Sequence, residues 1–484
     1  MTIGSLRCAV AAAAWALLPA GCGTSPELTP DEAFSPNPVV LDGSIHEWPQ
    51  EEVLLADGKY IYFRASAFDG TEALQAAPQS LAIWFDLDDS AQTGLRRSVP
   101  RAAFDLGIDL EIIFSPPGPD GSPGVGVVVN AVDRAGGRKA IPHAAIDFMF
   151  LPTYAATWQE GRFLRSIFDR PELAEVRESG SFSAMLVVLD RGAPTNSWSY
   201  PSSAKMPARS DDESGAFALV PTRSMQTVRI MTWNVLRSSP VNNAAPFARI
   251  VGAIKPDIIL LQEWDYTAPQ LSGWFTALID ARGWNALALE LHGVSIVTGF
   301  PLEPLGEPIL LDGNETRFVA GIASTPIGPM CIGSTHLTCC GAAGDERDQR
   351  RQLEAGAINA WVASWLEGAG VTMRVIGGDM NLVGSRAPLD MLVGSLGDDA
   401  EDLPIAEAYV LGDAAQYTWT DAGQPFTPGR LDYIAAGGSE LEIVRAFALD
   451  TRRLSDAALA RMGLERSDSG ATDHLPLVVD VRRK

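Results

Sequence analysis

Short apolar runs set the rhythm of the first half of this chain. Residues 60–65, 81–85, 110–114, 125–129 and 184–188 are rich in β-branched, aliphatic and aromatic side chains and are separated by Gly, Pro and Asp. Runs of that length between turn formers predict strands, and a series of them predicts an all-β sandwich over residues 38–220. Past residue 221 the pattern changes. Strand-like runs at 228–232, 258–261 and 330–333 alternate with 244–254 and 350–366, where apolar residues recur every three or four positions. That alternation predicts an α/β layered domain over 226–484, with the boundary at 221–226. A length of 484 residues agrees with two cores rather than one.

The first 22 residues have a different pattern. Arg7 precedes an apolar stretch from Ala9 to Leu18, too short to span a bilayer, and Leu18-Pro19-Ala20-Gly21-Cys22 runs small residues into a cysteine. This resembles a lipoprotein signal, which implies lipidation at Cys22, export and a membrane anchor in the periplasm or at the cell surface. An ordinary secretory signal cut near Ala20 or Gly23 is the alternative. Residues 23–37, rich in Pro, Ser, Thr and Glu, read as a linker.

Charge narrows the function. The net charge is −23 with a pI of about 4.6, and residues 225–484 carry 20 Lys/Arg against 32 Asp/Glu. Such a surface argues against tight, non-specific nucleic-acid binding. It does not argue against a phosphoesterase whose metal ion supplies the positive charge. Of the five cysteines, Cys331, Cys339 and Cys340 remain after Cys8 and Cys22 are set aside. In an oxidising compartment they predict one disulfide, stapling the loop beside His336, and one spare thiol.

Six polar clusters in the second half come at the ends of, or inside, the apolar runs. They are Trp233-Asn234, Gln262-Glu263, Thr335-His336, Gly378-Asp379-Met380-Asn381, Arg430-Leu431-Asp432-Tyr433 and Thr472-Asp473-His474. Polar side chains at the ends of buried strands are how a sheet projects several groups into one cleft. With Met231-Thr232-Trp233-Asn234-Val235 and Ile258-Ile259-Leu260-Leu261-Gln262-Glu263 among them, and in this order, they resemble the motifs of the endonuclease/exonuclease/phosphatase superfamily. The resemblance covers about 226–482 and implies a four-layer α/β fold of DNase I-like type and phosphoester hydrolysis.

Hydrolysing a phosphoester needs a cation at the phosphoryl oxygens, a positioned water, and donors for the developing charge. Glu263 is a hard oxygen ligand suited to Mg²⁺, with Mn²⁺ as a substitute, and Asn234 and Asp473 are expected to help hold the metal or its water. The expected catalytic set is His336, Asp379, Asn381, Asp432 and His474, with Asp432 and His474 forming a carboxylate–imidazole pair. The substrate expected is a phosphodiester, in nucleic acid or a phospholipid head group. A phosphomonoester and a non-catalytic surface-binding role are the alternatives. Trp264, Tyr266, Trp274 and Phe275 follow the Glu263 motif as lipid- or base-contacting aromatics or, in the reading preferred for Trp274 and Phe275, as helix core. Arg347, Arg350 and Arg351 are expected to pair with nearby acids rather than with phosphate.

In the first half, Asp42-Gly43 with Glu47-Trp48, the segment 57–64, and Asp86-Leu87-Asp88-Asp89 resemble family-nine-like carbohydrate-binding modules. That implies a carbohydrate partner, or a plain spacer. The short spacing of Asp86, Asp88 and Asp89 is compatible with Ca²⁺ or with a solvated acidic turn.

Overall fold

The computed structural model describes residues 39–98, 105–198, 202–210, 215–289, 292–397 and 401–484. The signal, Cys22 and the 23–37 linker lie outside them. No helix among the described residues is long and apolar enough to cross a membrane.

In the first half, two antiparallel sheets close over one core. One has the order Leu54–Ala56, Tyr60–Ala65, Gln159–Leu164, Met149–Leu151. The other runs Ala193–Trp198, Ser181–Asp190, Ser80–Asp86, Leu110–Phe114, Val127–Val132, Arg138–Ile141, and Ser202–Lys205 also pairs with Ser181–Asp190. Phe63, Phe150 and Phe163 of the first sheet pack against Phe85 and Phe114 of the second. Aromatic pairs of this kind add to the burial that holds two twisted sheets face to face.

The second half has four layers. A seven-stranded sheet is ordered Asn285–Leu289, Val294–Thr298, Ile258–Gln262, Thr227–Asn234, Leu477–Arg483, Leu441–Ala448, Tyr409–Val410. A five-stranded sheet is ordered Leu302–Pro304, Phe318–Thr325, Gly328–His336, Met373–Asp379, Asp432–Gly437. Ile230, Leu260 and Val479 of the first meet Ile332, Val375 and Ile434 of the second between the sheets. The helices Ala244–Ile254, Ala268–Leu278 and Asp456–Met462 cover the outer face of the first sheet. Glu346–Ala369 and Ala387–Val393 cover the outer face of the second. Central strands are therefore buried on both faces, which is why 228–232 and 258–261 read as unbroken apolar runs rather than alternating ones.

The two halves share a buried boundary. Leu41, Trp48, Tyr62, Met149 and Leu151 form one cluster with Val410, Tyr417, Ala448 and Leu475. Inside it, the fully buried Arg162 donates from Nη2 to Asp413 Oδ2 at 2.6 Å. Arg453 bonds both Asp147 oxygens at 2.7 and 2.5 Å and lies 3.2 Å from Asp413.

The expected disulfide is not formed: Cys331, Cys339 and Cys340 are all free. Cys331 is buried within the strand Gly328–His336, whereas Cys339 and Cys340 are exposed beyond its end, so their thiols do not meet it; the adjacent Cys339 and Cys340 sulfurs lie 2.7 Å apart, in contact without a bond.

Candidate active site

Strand register assembles one row of the site. His336 pairs with Asp379 across the parallel ladder, and Asp379 with Asp432 across the antiparallel one, so three strand ends bring these residues side by side. The preceding glycine makes this possible. A Cβ on Gly378 (φ +151°) would lie 1.9 Å from the Thr335 carbonyl oxygen, so only glycine permits the strands to run this close at the row's edge.

The facing sheet supplies the other wall. Asn234 ends its strand in register with Gln262, and Glu263 follows directly. Asn234 Nδ2 donates to Glu263 Oε1 and to Asp379 Oδ2, both at 3.0 Å, joining the two sheets through one amide. Its Oδ1 accepts from the Leu236 N–H at 3.0 Å, so the bond network turns the amide nitrogen, rather than the oxygen, toward the carboxylates. Glu263 Oε2 accepts from the Arg237 N–H at 3.1 Å. Glu263 has φ +60°, a left-handed conformation that costs a non-glycine residue energy and is retained mostly at functional sites.

His474 stands between two carboxylates. Its Nδ1 is 2.7 Å from Asp432 Oδ2 and its Nε2 3.7 Å from Asp379 Oδ2. Burial would lower its basicity, but the charges of Asp432 and Asp379 outweigh burial and raise the imidazolium to about 10. Asp379 is pushed up to about 7, by burial first and by Asp432, against the pull of His474. His336 goes the other way. Burial, Arg317 and His474 hold it well below the usual histidine range. Arg317 Nη1 lies 3.2 Å from His336 Nδ1, which fits a neutral ring with its proton on Nε2, 3.5 Å from Asp379 Oδ2. The site thus holds one charged and one neutral imidazole around a single carboxylate.

Asn381 (φ +49°) donates its backbone N–H to Asp379 Oδ1 at 3.0 Å and its Nδ2 to the Leu337 carbonyl at 3.1 Å. Asp473 is turned partly aside: its Oδ2 accepts from Trp419 Nε1 at 3.1 Å. It is not part of the tight group of ligand atoms formed by Asp379, Asp432 and His474.

A divalent cation fits this donor set. The ligand atoms gathered here are the carboxylates of Asp379 and Asp432 with the His474 imidazole, Glu263 adds a further carboxylate across the site, no cysteine is present, and Asp432 Oδ1 is buried with no hydrogen-bond partner, so acceptor capacity is left over.

Three positioning groups carry no motif in the sequence. Arg317 sets the state of His336, Thr418 Oγ1 accepts from the Leu431 and Asp432 N–H groups at 3.0 and 2.9 Å, and Trp419 holds Asp473. Thr418 and Trp419 belong to the loop between Tyr409–Val410 and Asp432–Gly437, which the first half grips through Gln75–Thr427, Val127–Pro425 and Arg162–Asp413. Trp264 and Phe275 are buried core. Arg350 pairs with Asp312 and Glu354 and Arg351 with Asp348, so their charge is spent within the protein.

Residues 231–474, half of the chain, match the Endonuclease/Exonuclease/phosphatase family. The chain belongs to that family, a class of phosphoester hydrolases. Among solved structures it is similar to the 3′ phosphatase NExo from Neisseria bound to a product DNA hairpin, with 20% identity over 52% of this chain and 98% of that one (TM-score 0.37). It is also similar to an AP endonuclease from Archaeoglobus fulgidus, at 16% identity over 52% and 98% (TM-score 0.33). The beta toxin from Staphylococcus aureus is similar at 15% identity over 52% and 99% (TM-score 0.32). No curated protein matches.

Proposed function

We propose that this protein is an exported, Mg²⁺-dependent phosphodiesterase, anchored by lipid at Cys22 and acting on a nucleic-acid or phospholipid head-group diester. The observation that carries the catalytic part is the row His336–Asp379–Asp432 beside His474, tied by Asn234 to Glu263.

Glu263 is the principal metal ligand, with Asn234 steadying its carboxylate and Asp473 at the rim. A bound divalent ion supplies positive charge at the phosphoryl oxygens and a polarised water. Asp379 accepts and aligns the attacking water, within reach of both imidazoles. The charged His474, held by Asp432, donates to a phosphoryl oxygen as negative charge grows there. The neutral His336 donates its Nε2 proton to the ester oxygen that leaves as its bond to phosphorus breaks, while the water's proton passes to Asp379, which Asn381 keeps in place. The excess of acidic residues and the pairing of Arg350 and Arg351 with acids favour a diester recognised mainly at its phosphate, and Lys255 and Lys484 are the two lysines of residues 225–484.

Glu263→Gln tests the metal assignment. Removing one anionic ligand raises the Mg²⁺ concentration needed for half-maximal rate, and saturating Mg²⁺ recovers part of the activity. The check is a Mg²⁺ titration of bis-p-nitrophenyl phosphate hydrolysis. An unchanged titration curve places the ion elsewhere.

A further inference from the structure

The first half contains a second acidic group, far from the catalytic row. Asp86 ends the strand Ser80–Asp86, Asp88 lies in the turn beyond it, and Asp109 sits between Asp105–Ile108 and Leu110–Phe114. All three are buried, Asp109 completely, and each offers an oxygen within 4.8 Å of the other two. Asp89, the third member of the sequence cluster, is not among them: it is exposed and accepts from Ser183 Oγ at 2.6 Å.

Most of these carboxylate oxygens are used. Asp86 accepts from the Ser90 and Gly107 N–H groups, and Asp88 from Thr93 Oγ1 and the Arg177 N–H. Asp109 Oδ2 accepts from the Leu87 N–H at 2.9 Å. Asp109 Oδ1 is buried without a hydrogen-bond partner, and the neighbouring Thr93 Oγ1 is directed to Asp88 Oδ1 and the Ser90 carbonyl at 2.8 and 3.0 Å. Gly94 (φ +56°) packs closely against this segment: a Cβ there would fall 2.7 Å from Asp109 Oδ1 and 2.3 Å from the Ile108 carbonyl oxygen. Among the described residues no arginine or lysine side chain forms an ion pair with Asp86, Asp88 or Asp109. Three buried carboxylates at this spacing without a cation are costly.

We infer that Asp86, Asp88 and Asp109 form a Ca²⁺ site that fastens the 86–94 turn to the Asp109 segment. The ligands are oxygens alone, with no histidine or cysteine, which selects a hard cation. Three carboxylates suit the carboxylate-rich, irregular coordination of Ca²⁺ better than the near-octahedral, water-rich shell of Mg²⁺. The site is independent of the catalytic reading.

The test uses the full chain freed of metal by EDTA and then dialysed. Ca²⁺ at about 10 mM exceeds the roughly 10⁻⁴–10⁻³ M dissociation constants of extracellular calcium modules and raises the unfolding temperature by several degrees. Asp109→Asn keeps the side-chain shape, and it and Asp88→Asn lose that rise. Asp89→Asn keeps it. Any rise with Mg²⁺ is the same in the wild type and Asp109→Asn. No rise with Ca²⁺ in the wild type, or a full rise in both Asp109→Asn and Asp88→Asn, overturns the proposal.

Discussion

Replacing His474 by alanine lowers turnover by roughly 10²–10⁴-fold, the range of a lost general acid or base, while the protein still folds. The ring is almost fully buried, 2.7 Å from Asp432 on one side and 3.7 Å from Asp379 on the other, and it is the charged donor at that point, since the neighbouring His336 is held neutral. Because the two carboxylates hold it charged to about pH 10, the wild-type ring is a donor throughout the neutral range. His474→Gln retains a hydrogen bond to Asp432 but cannot carry the charge, and it should be nearly as slow as alanine. Steady-state kinetics on bis-p-nitrophenyl phosphate, with thermal unfolding in parallel, read the two effects separately. Near-full activity in His474→Ala removes this residue from the chemistry.

Asp413→Ala should lower unfolding free energy by about 3–5 kcal/mol, the cost of leaving a buried charge without its partner. Arg162 is fully buried, its closest carboxylate is Asp413, and the next, on Asp147, is 3.7 Å away. Removing both charges, as Arg162→Met with Asp413→Leu, should restore much of the loss, since the Arg453–Asp147 pair stays balanced. Activity should fall with stability in the single variant, because Asp413 lies in the loop that carries Thr418 and Trp419 and so positions Asp432 and Asp473. Chemical denaturation monitors the first effect and kcat the second. If Asp413→Ala is as stable as the double variant, the pair does not tie the two halves together.

The candidate site residues were legible as polar clusters beside apolar runs: Asn234, Glu263, His336 and Asp379 end or follow strands, whereas Asp432 opens one and His474 precedes one. The helix at 244–254 needed local pattern alone, whereas Asn234 after 228–232 and Glu263 after 258–261 were marked by the buried runs before them together with the resemblance to the family's motifs. What no local pattern contains is register. That His336, Asp379 and Asp432 stand in one row depends on two ladders between segments distant in the chain. Arg317 and Thr418 were hidden for the same reason: each acts on a residue distant in sequence and carries no motif of its own. The acidic turn misled for a related cause. Asp86, Asp88 and Asp89 are near neighbours in sequence, but the turn sends Asp89 outward and the third buried carboxylate, Asp109, comes from another strand connection. The union of the two halves through Arg162 and Asp413, 251 positions apart, was likewise invisible to a reading that ended one domain at 220 and began the next at 226.

If the acids and imidazoles at these strand ends hydrolyse a phosphodiester with the help of a divalent ion, as proposed, metal-free protein incubated with bis-p-nitrophenyl phosphate, DNA and sphingomyelin, with and without Mg²⁺, should show it. The expected result is turnover of at least one of these diesters that requires Mg²⁺, is abolished by EDTA and is largely lost in His474→Ala. Absence of Mg²⁺-dependent turnover on all three, or turnover that EDTA leaves untouched, would contradict the proposal.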